Sequence, residues 1–182
     1  MKYILEHIKA SAAVNKKLLA ILIDPDKQTI EALPEFIQLV NASVISHIFI
    51  GGSTVEVERT ERLVLELRTL TSLPLILFPG DVTQLTEAAD AVLFLSLISG
   101  DNPEYLIGKH RKSAAVLRNS DLEIIPTGYV LIESGKETAV QRVTKTKPLE
   151  MCNTTIADTT KAGELLGMQL IYLEAGSGAI NP

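Results

Sequence analysis

The sequence predicts an α/β fold on a parallel sheet, a (β/α)8 TIM-type barrel with about six β/α units in its 182 residues. Three observations carry this. Short apolar runs alternate with stretches of helical spacing, and alternating β and α means a parallel sheet. Each apolar run ends in a polar or glycine-rich turn. A ring of such turns suits a barrel, whose functional groups sit at the carboxyl ends of its strands. A doubly wound open sheet would place its ligands at strand ends too, and its GxGxxG fingerprint is absent here. Finally, 46% of residues are hydrophobic, only 4% are aromatic and none is Trp. The core must then be Leu, Ile, Val and Ala, as in buried parallel sheets.

The units follow in order. Residues 2–15 read as a helix, with Ile4, Leu5 and Ile8 on one face. Residues 18–23 read as a strand ending in Asp24-Pro25-Asp26-Lys27, and 29–40 as a helix with Ile30, Leu33, Phe36, Ile37 and Val40 inward. Pro34 belongs to its first turn or to a kink. Strand 44–50 ends in Gly51-Gly52-Ser53-Thr54, and helix 55–70 turns Val57, Leu63, Val64 and Leu67 inward. Strand 73–78 ends in Pro79-Gly80-Asp81 and is followed by a short helix over 83–89. Strand 91–98 ends in Ser99-Gly100-Asp101-Asn102, and helix 103–117 opens on a tolerated proline. Strand 123–132 ends in Glu133-Ser134-Gly135. A linking segment containing Pro148 leads to helix 154–166, which Gly167 caps. Met168-Gln169-Leu170-Ile171 opens the sixth strand, which runs into Tyr172-Leu173-Glu174-Ala175-Gly176-Ser177-Gly178.

The sequence given stops at Ala179-Ile180-Asn181-Pro182, with no helix to cover strand six. Residues 1–182 are therefore expected to be one barrel domain cut at its C-terminal end. Two more units of about 30 residues each would complete it. Open edges at strands one and six would invite another chain, so a homo-oligomer is expected.

Several partners are argued against. The net charge is −5 without a long basic run, which disfavours nucleic acid. The single Cys152 excludes an internal disulfide and a Cys-based zinc cluster, and suits a reducing cytoplasm. The N-terminus lacks a signal-peptide core, and no apolar stretch reaches the roughly 18 residues of a membrane span. A cytoplasmic protein is expected.

The strand ends carry the candidate chemistry. Two glycines around Ser177 let the backbone turn several N–H groups toward one anion, most often a phosphate; the alternative is a tight turn with no ligand. Asp24 and Asp26 flank a stiff proline. Hard carboxylate oxygens beside a phosphate nest suit Mg²⁺, while either can instead cap the next helix, a role that fits Asp26 best. Ser53 can complete a Mg²⁺ shell or cap a helix from Val55. Glu133 and Glu174 end strands, where a Glu is often merely solvated; facing one pocket, they can bind hydroxyls or act as a base. Tyr129 is either a participant or a core ring with a satisfied hydroxyl. His7, His47 and His110 have no ligand spacing.

Taken together, Ile23-Asp24-Pro25-Asp26-Lys27, Gly51-Gly52-Ser53, Phe78-Pro79-Gly80, Gly128-Tyr129-Val130-Leu131 and the segment from Tyr172 to Gly178 resemble the geranylgeranylglyceryl phosphate synthases. That (β/α)8 family also includes heptaprenylglyceryl phosphate synthases. The resemblance covers the whole chain. It implies Mg²⁺-dependent transfer of a prenyl group, geranylgeranyl by preference, from a prenyl diphosphate to sn-glycerol 1-phosphate, giving an ether lipid precursor and diphosphate. By position, it makes Asp24 and Ser53 the Mg²⁺ ligands. It puts glycerol phosphate on Tyr172, Leu173, Glu174, Ala175, Gly176, Ser177 and Gly178. For such a transfer, Glu174 and Tyr129 are the expected catalytic residues, with Glu174 orienting the attacking hydroxyl or taking its proton. Some relatives carry a lysine two residues before the first aspartate of this turn; Leu22 stands there, which suggests the family's other branch. The family's Gly-Gly turn after strand seven and Gly-Asn turn after strand eight are not in this sequence. Two other readings remain: a different phosphate-binding barrel, such as a sugar-phosphate isomerase or aldolase, and an inactive incomplete barrel serving assembly. An aldolase would want a lysine on a strand, and no predicted strand contains one.

Overall fold

The computed structural model describes residues 3–176 and 180. The elements run α1 (Ile4–Ala13), β1 (Ala20–Ile23), α2 (Leu33–Asn41), β2 (His47–Ile50), α3 (Arg59–Leu70), β3 (Leu75–Leu77), β4 (Ala91–Leu97), α4 (Lys109–Leu117), β5 (Glu123–Leu131), α5 (Ala139–Thr144), α6 (Asn153–Leu165) and β6 (Leu170–Glu174). Strands lie side by side in chain order. This is the parallel strand-and-helix repeat of an α/β barrel. The chain divides into two compact units, one up to Leu93 with Val116–Ile124, the other Phe94–Ala115 with Ile125 onward.

In the first unit, β1, β2, β3 and the start of β4 pair in parallel, with Ile23 opposite Ile50 and Ile50 opposite Leu77. Ile48, Ile50, Ile76 and Leu77 are fully buried. Helices α2 and α3 bury stripes at helical spacing, Leu33, Ile37 and Val40 on one and Thr60, Leu63, Val64 and Leu67 on the other. Each such aliphatic side chain contributes roughly 1.5–3 kcal/mol. Pro34 sits in the first turn of α2, where its missing N–H is harmless. Both oxygens of Glu123 accept from the first N–H groups of α1, from Ile4 at 2.7 Å and Leu5 at 2.9 Å. A carboxylate there also complements the helix dipole.

In the second unit, β5 and β6 pair in parallel with Tyr129 opposite Tyr172 and Leu131 opposite Glu174. Gly167 caps α6 as expected, at φ +93°.

Several expectations need correction. The first three strands are shorter than expected, Ala20–Ile23 against 18–23, His47–Ile50 against 44–50 and Leu75–Leu77 against 73–78. Helix α3 starts at Arg59, not Val55: Glu58 takes φ 70°, which breaks any helix running through it. Val57 therefore leaves the buried stripe and is exposed. The helix expected over 83–89 is only a single 3-10 turn, Val82–Gln84. The expected helix from Pro103 starts with a π-type turn, Glu104–Gly108. The linking segment holds a further helix, α5, whose Thr138 and Gln141 form a reciprocal capping box.

Each unit buries a histidine. The His47 ring has no partner at Nε2, and the His110 ring packs edge-on against Phe94 with Nδ1 unpartnered. Burial pushes both pKa values down, helped for His47 by His7. A histidine held neutral in the fold contributes stability above its unfolded pKa of about 6.5 and loses it as pH falls. Thermal melts from pH 7.5 to 5 should therefore show a falling Tm. Replacing His110 by Gln should flatten that fall; an unchanged slope would remove His110 from it.

Candidate functional site

The first unit gathers three strand-end turns. After β1, Asp24 closes a turn on itself: its Oδ1 accepts from the Asp26 N–H at 3.1 Å, and its carbonyl accepts from the Lys27 and Gln28 N–H groups. Its Oδ2 pairs with Lys27 Nζ at 2.9 Å, and this bond raises the lysine's pKa. The carboxylate lies against the turn after β2. A Cβ built on Gly52 would stand 2.9 Å from Asp24 Oδ1, so a side chain there would push the carboxylate aside. Ser53 is the next residue and is half-buried. With α3 starting at Arg59, Ser53 does not cap that helix. Asp26 caps no helix either. The N-cap of the next turn is Thr29, and Asp26 Oδ1 instead faces the Glu56 N–H and Arg59 Nε, each at 3.4 Å.

This donor set suits Mg²⁺. Asp24 and Ser53 offer hard oxygens, and Lys27 is so exposed that its ammonium can yield to another cation. Among the described residues no three carboxylate, His or Cys side chains cluster as a protein cage would require. Mg²⁺ needs no cage, because it keeps waters and binds substrate phosphates.

The second unit forms a different cluster. Parallel register puts Tyr129 and Leu131 of β5 on one face with Tyr172 and Glu174 of β6. The Tyr129 hydroxyl donates to Glu174 Oε2, and the Tyr129 and Tyr172 rings meet edge-on, 5.4 Å apart. Leu97, Leu95, Tyr105 and Val140 pack around them. Leu173 points to the other face and is exposed. Burial and the Glu174 carboxylate push the Tyr129 and Tyr172 phenols up, Tyr129 far beyond the usual tyrosine range. Tyr129 is thus both a buried ring and a fixed donor to a carboxylate.

Beyond β6, Ala175 and Gly176 enter the loop. Gly176 takes φ +94°, and a Cβ there would stand 2.2 Å from Thr138 Cγ2. Ser177 and Gly178 lie outside the described residues. Glu133 is exposed and its N–H pairs with the Leu149 carbonyl, so it does not join Glu174. Cys152 sits at the start of α6, where the N–H groups of Thr155 and Thr154 pull its exposed thiol down.

Two residues went unrecognised in the sequence. Thr138 had a readable signal, the T-x-x-Q spacing of its capping box. Gln84, buried between two turns, had none.

Replacing Tyr129 by Phe should leave Glu174 with one hydrogen-bond donor fewer and lower stability by about 1–3 kcal/mol. The phenol's raised pKa gives a second signature. Its stabilising effect is complete below pH about 10 and disappears as pH rises beyond that. Absorbance titration to pH 11 should show the same ionising amplitude in Tyr129→Phe as in the parent. A smaller amplitude would show that Tyr129 ionises freely.

Proteins named geranylgeranylglyceryl phosphate synthase match from Zunongwangia profunda, 52% identical over 100% of this chain and 78% of the relative, and from Flavobacterium johnsoniae, 54% identical over 92% and 69%. The solved (S)-3-O-geranylgeranylglyceryl phosphate synthase of Thermoplasma acidophilum, in complex with sn-glycerol-1-phosphate, superposes with a TM-score of 0.89 at 27% identity, over 98% of this chain and 72% of that one. Among the described residues no helix is long and apolar enough to cross a membrane. The PcrB family model matches residues 12–182, which takes in the Asp24 turn, the Gly52–Ser53 turn and the whole Tyr129–Glu174 cluster; the chain belongs to the PcrB family, beside the geranylgeranylglyceryl phosphate synthases.

Proposed function

We propose that the chain is a prenyltransferase that joins a prenyl diphosphate to sn-glycerol 1-phosphate, making an ether lipid precursor and releasing diphosphate. The observation that carries this is the match to synthases of that name along 92–100% of the chain, with its motifs at strand ends. Geranylgeranyl diphosphate is the proposed donor.

Asp24 and Ser53 would hold Mg²⁺. Bound there, the ion would neutralise charge developing on the departing diphosphate. The chain's own residues do the rest. Backbone N–H groups of the loop around Gly176 receive the phosphate of glycerol phosphate. Tyr129 fixes the Glu174 carboxylate through Oε2, and among the described residues Oε1 carries no hydrogen bond. Oε1 is then available to orient the acceptor hydroxyl and take its proton as oxygen attacks the allylic C1. The C1–O bond to diphosphate breaks as the ether bond forms, so no covalent enzyme intermediate is needed.

Thin-layer chromatography with labelled sn-glycerol 1-phosphate, Mg²⁺ and prenyl diphosphates of several lengths tests this. A prenyl ether should appear, with the C20 donor used best. Diphosphate hydrolysis without ether, or turnover of a sugar phosphate instead, would overturn the reading.

A further inference from the structure

We infer that Gln84 is a positioning residue that sets the place of Ser53 beside Asp24; the inference rests on the Mg²⁺ reading above. Gln84 is only 2% exposed, yet it lies in a single 3-10 turn outside the helices and strands. Its amide is used at both ends. Nε2 donates to the Gly52 carbonyl at 2.9 Å. Oε1 accepts from the Gly80 N–H at 3.2 Å and, more loosely, from the Gly52 N–H at 3.5 Å.

The Gly52 bonds matter most. Its N–H belongs to the peptide before the residue, and its carbonyl to the peptide after. The 2.9 Å bond to the carbonyl holds the peptide after Gly52, at a residue that otherwise rotates more freely than any other, and the looser contact to its N–H adds to that hold. The second peptide leads directly into Ser53. Among the described residues, Gly52 shows no other hydrogen-bond partner. On one side the Asp24 carboxylate lies against Gly52; on the other, a Cβ at Gly80 would stand 2.4 Å from the Gly52 carbonyl oxygen. Three turns thus meet at Gly52, and Gln84 is the side chain that ties two of them. It needs no contact with metal or substrate to control how Ser53 meets either.

The test measures binding of Mn²⁺, as a probe for Mg²⁺, to the whole chain by calorimetry and paramagnetic resonance, with and without inorganic diphosphate. Gln84→Met keeps the length and loses the amide. It should raise the Mn²⁺ dissociation constant about tenfold or more and leave that of sn-glycerol 1-phosphate within twofold. Gln84→Glu keeps an acceptor but sets a carboxylate oxygen against the Gly52 carbonyl, and should also weaken Mn²⁺. It serves if the Met variant folds poorly. Ile37→Ala, a cavity in α2, supplies a control that is destabilised without touching the turns, and its Mn²⁺ affinity should stay within twofold. Normal Mn²⁺ binding in both Gln84 variants, or equal weakening in Ile37→Ala, overturns the inference. Asp24→Asn is run in parallel. If it loses Mn²⁺ while the Gln84 variants keep it, the metal reading stands and only the role of Gln84 falls. If it binds Mn²⁺ like the parent, the metal reading falls and takes the role of Gln84 with it.

Discussion

Asp24→Asn should reduce turnover by about 10²–10³-fold, the usual loss when one preorganised electrostatic partner of a reacting charge is removed. Stability should barely change. The asparagine oxygen can still accept from the Asp26 N–H, replacing the 3.1 Å bond of Asp24 Oδ1. What is lost is the pair with Lys27, whose side chain is 82% exposed. Exposed pairs of this kind contribute about 0–1 kcal/mol. A raised Mg²⁺ requirement should accompany the loss, so that activity at excess Mg²⁺ recovers in part. Initial rates over a Mg²⁺ series, beside a thermal melt, check both halves. Near-normal turnover at limiting Mg²⁺ would take Asp24 out of the metal role.

Gly176→Val should lose both affinity and stability, and the two losses can be separated. A non-glycine residue at φ +94° is strained by about 1–2 kcal/mol. The valine Cβ would also meet Thr138 Cγ2, and Thr138 has nowhere to go. It is buried, its hydroxyl accepts from the Gln141 N–H at 3.3 Å, and its own N–H donates to Gln141 Oε1 at 2.6 Å. Displacing it uncaps α5, at a cost of about 1 kcal/mol.

The loop's anion-binding role adds a different loss. Charge-assisted bonds from backbone N–H groups contribute roughly 1.5–3 kcal/mol each. The dissociation constant of sn-glycerol 1-phosphate should therefore rise by one to a few factors of ten, since about 1.4 kcal/mol is tenfold. That of prenyl diphosphate should stay within a few-fold. Gly176→Ala in a Thr138→Ser background removes Cγ2 and keeps the capping hydroxyl. It should regain part of the stability without regaining glycerol phosphate affinity. If affinity returns in step with Tm, the loop is a structural turn and the phosphate sits elsewhere.

Much of this was legible in the sequence because it is local. Apolar runs of four to ten residues and stripes at helical spacing set the element types. Strand-end strings such as Asp24-Pro25-Asp26 and Gly51-Gly52-Ser53 marked the first cluster, and the glycine at 176 announced the backbone conformation it adopts. What is local in energy is local in sequence. The opposite holds where a residue's partner comes from another turn or strand. Asp26 reads as a cap, but its carboxylate meets Glu56 and Arg59, some 30 residues away. Val57 fits a helical stripe, but one left-handed residue at Glu58 removes it. Tyr129 and Glu174 stand 45 residues apart, and only the β5–β6 register, which sets Tyr129 opposite Tyr172, puts them on one face in reach of each other. Gln84 is the extreme case. An amide can pair with any exposed peptide, so its identity as a clamp on Gly52 and Gly80 depends wholly on where the tertiary fold brings those two peptides. The sequence by itself determined the repeat of strand and helix and the chemistry waiting at each strand end. The tertiary structure decided which of those groups touch, because parallel register and turn packing, not composition, fix distances between strands.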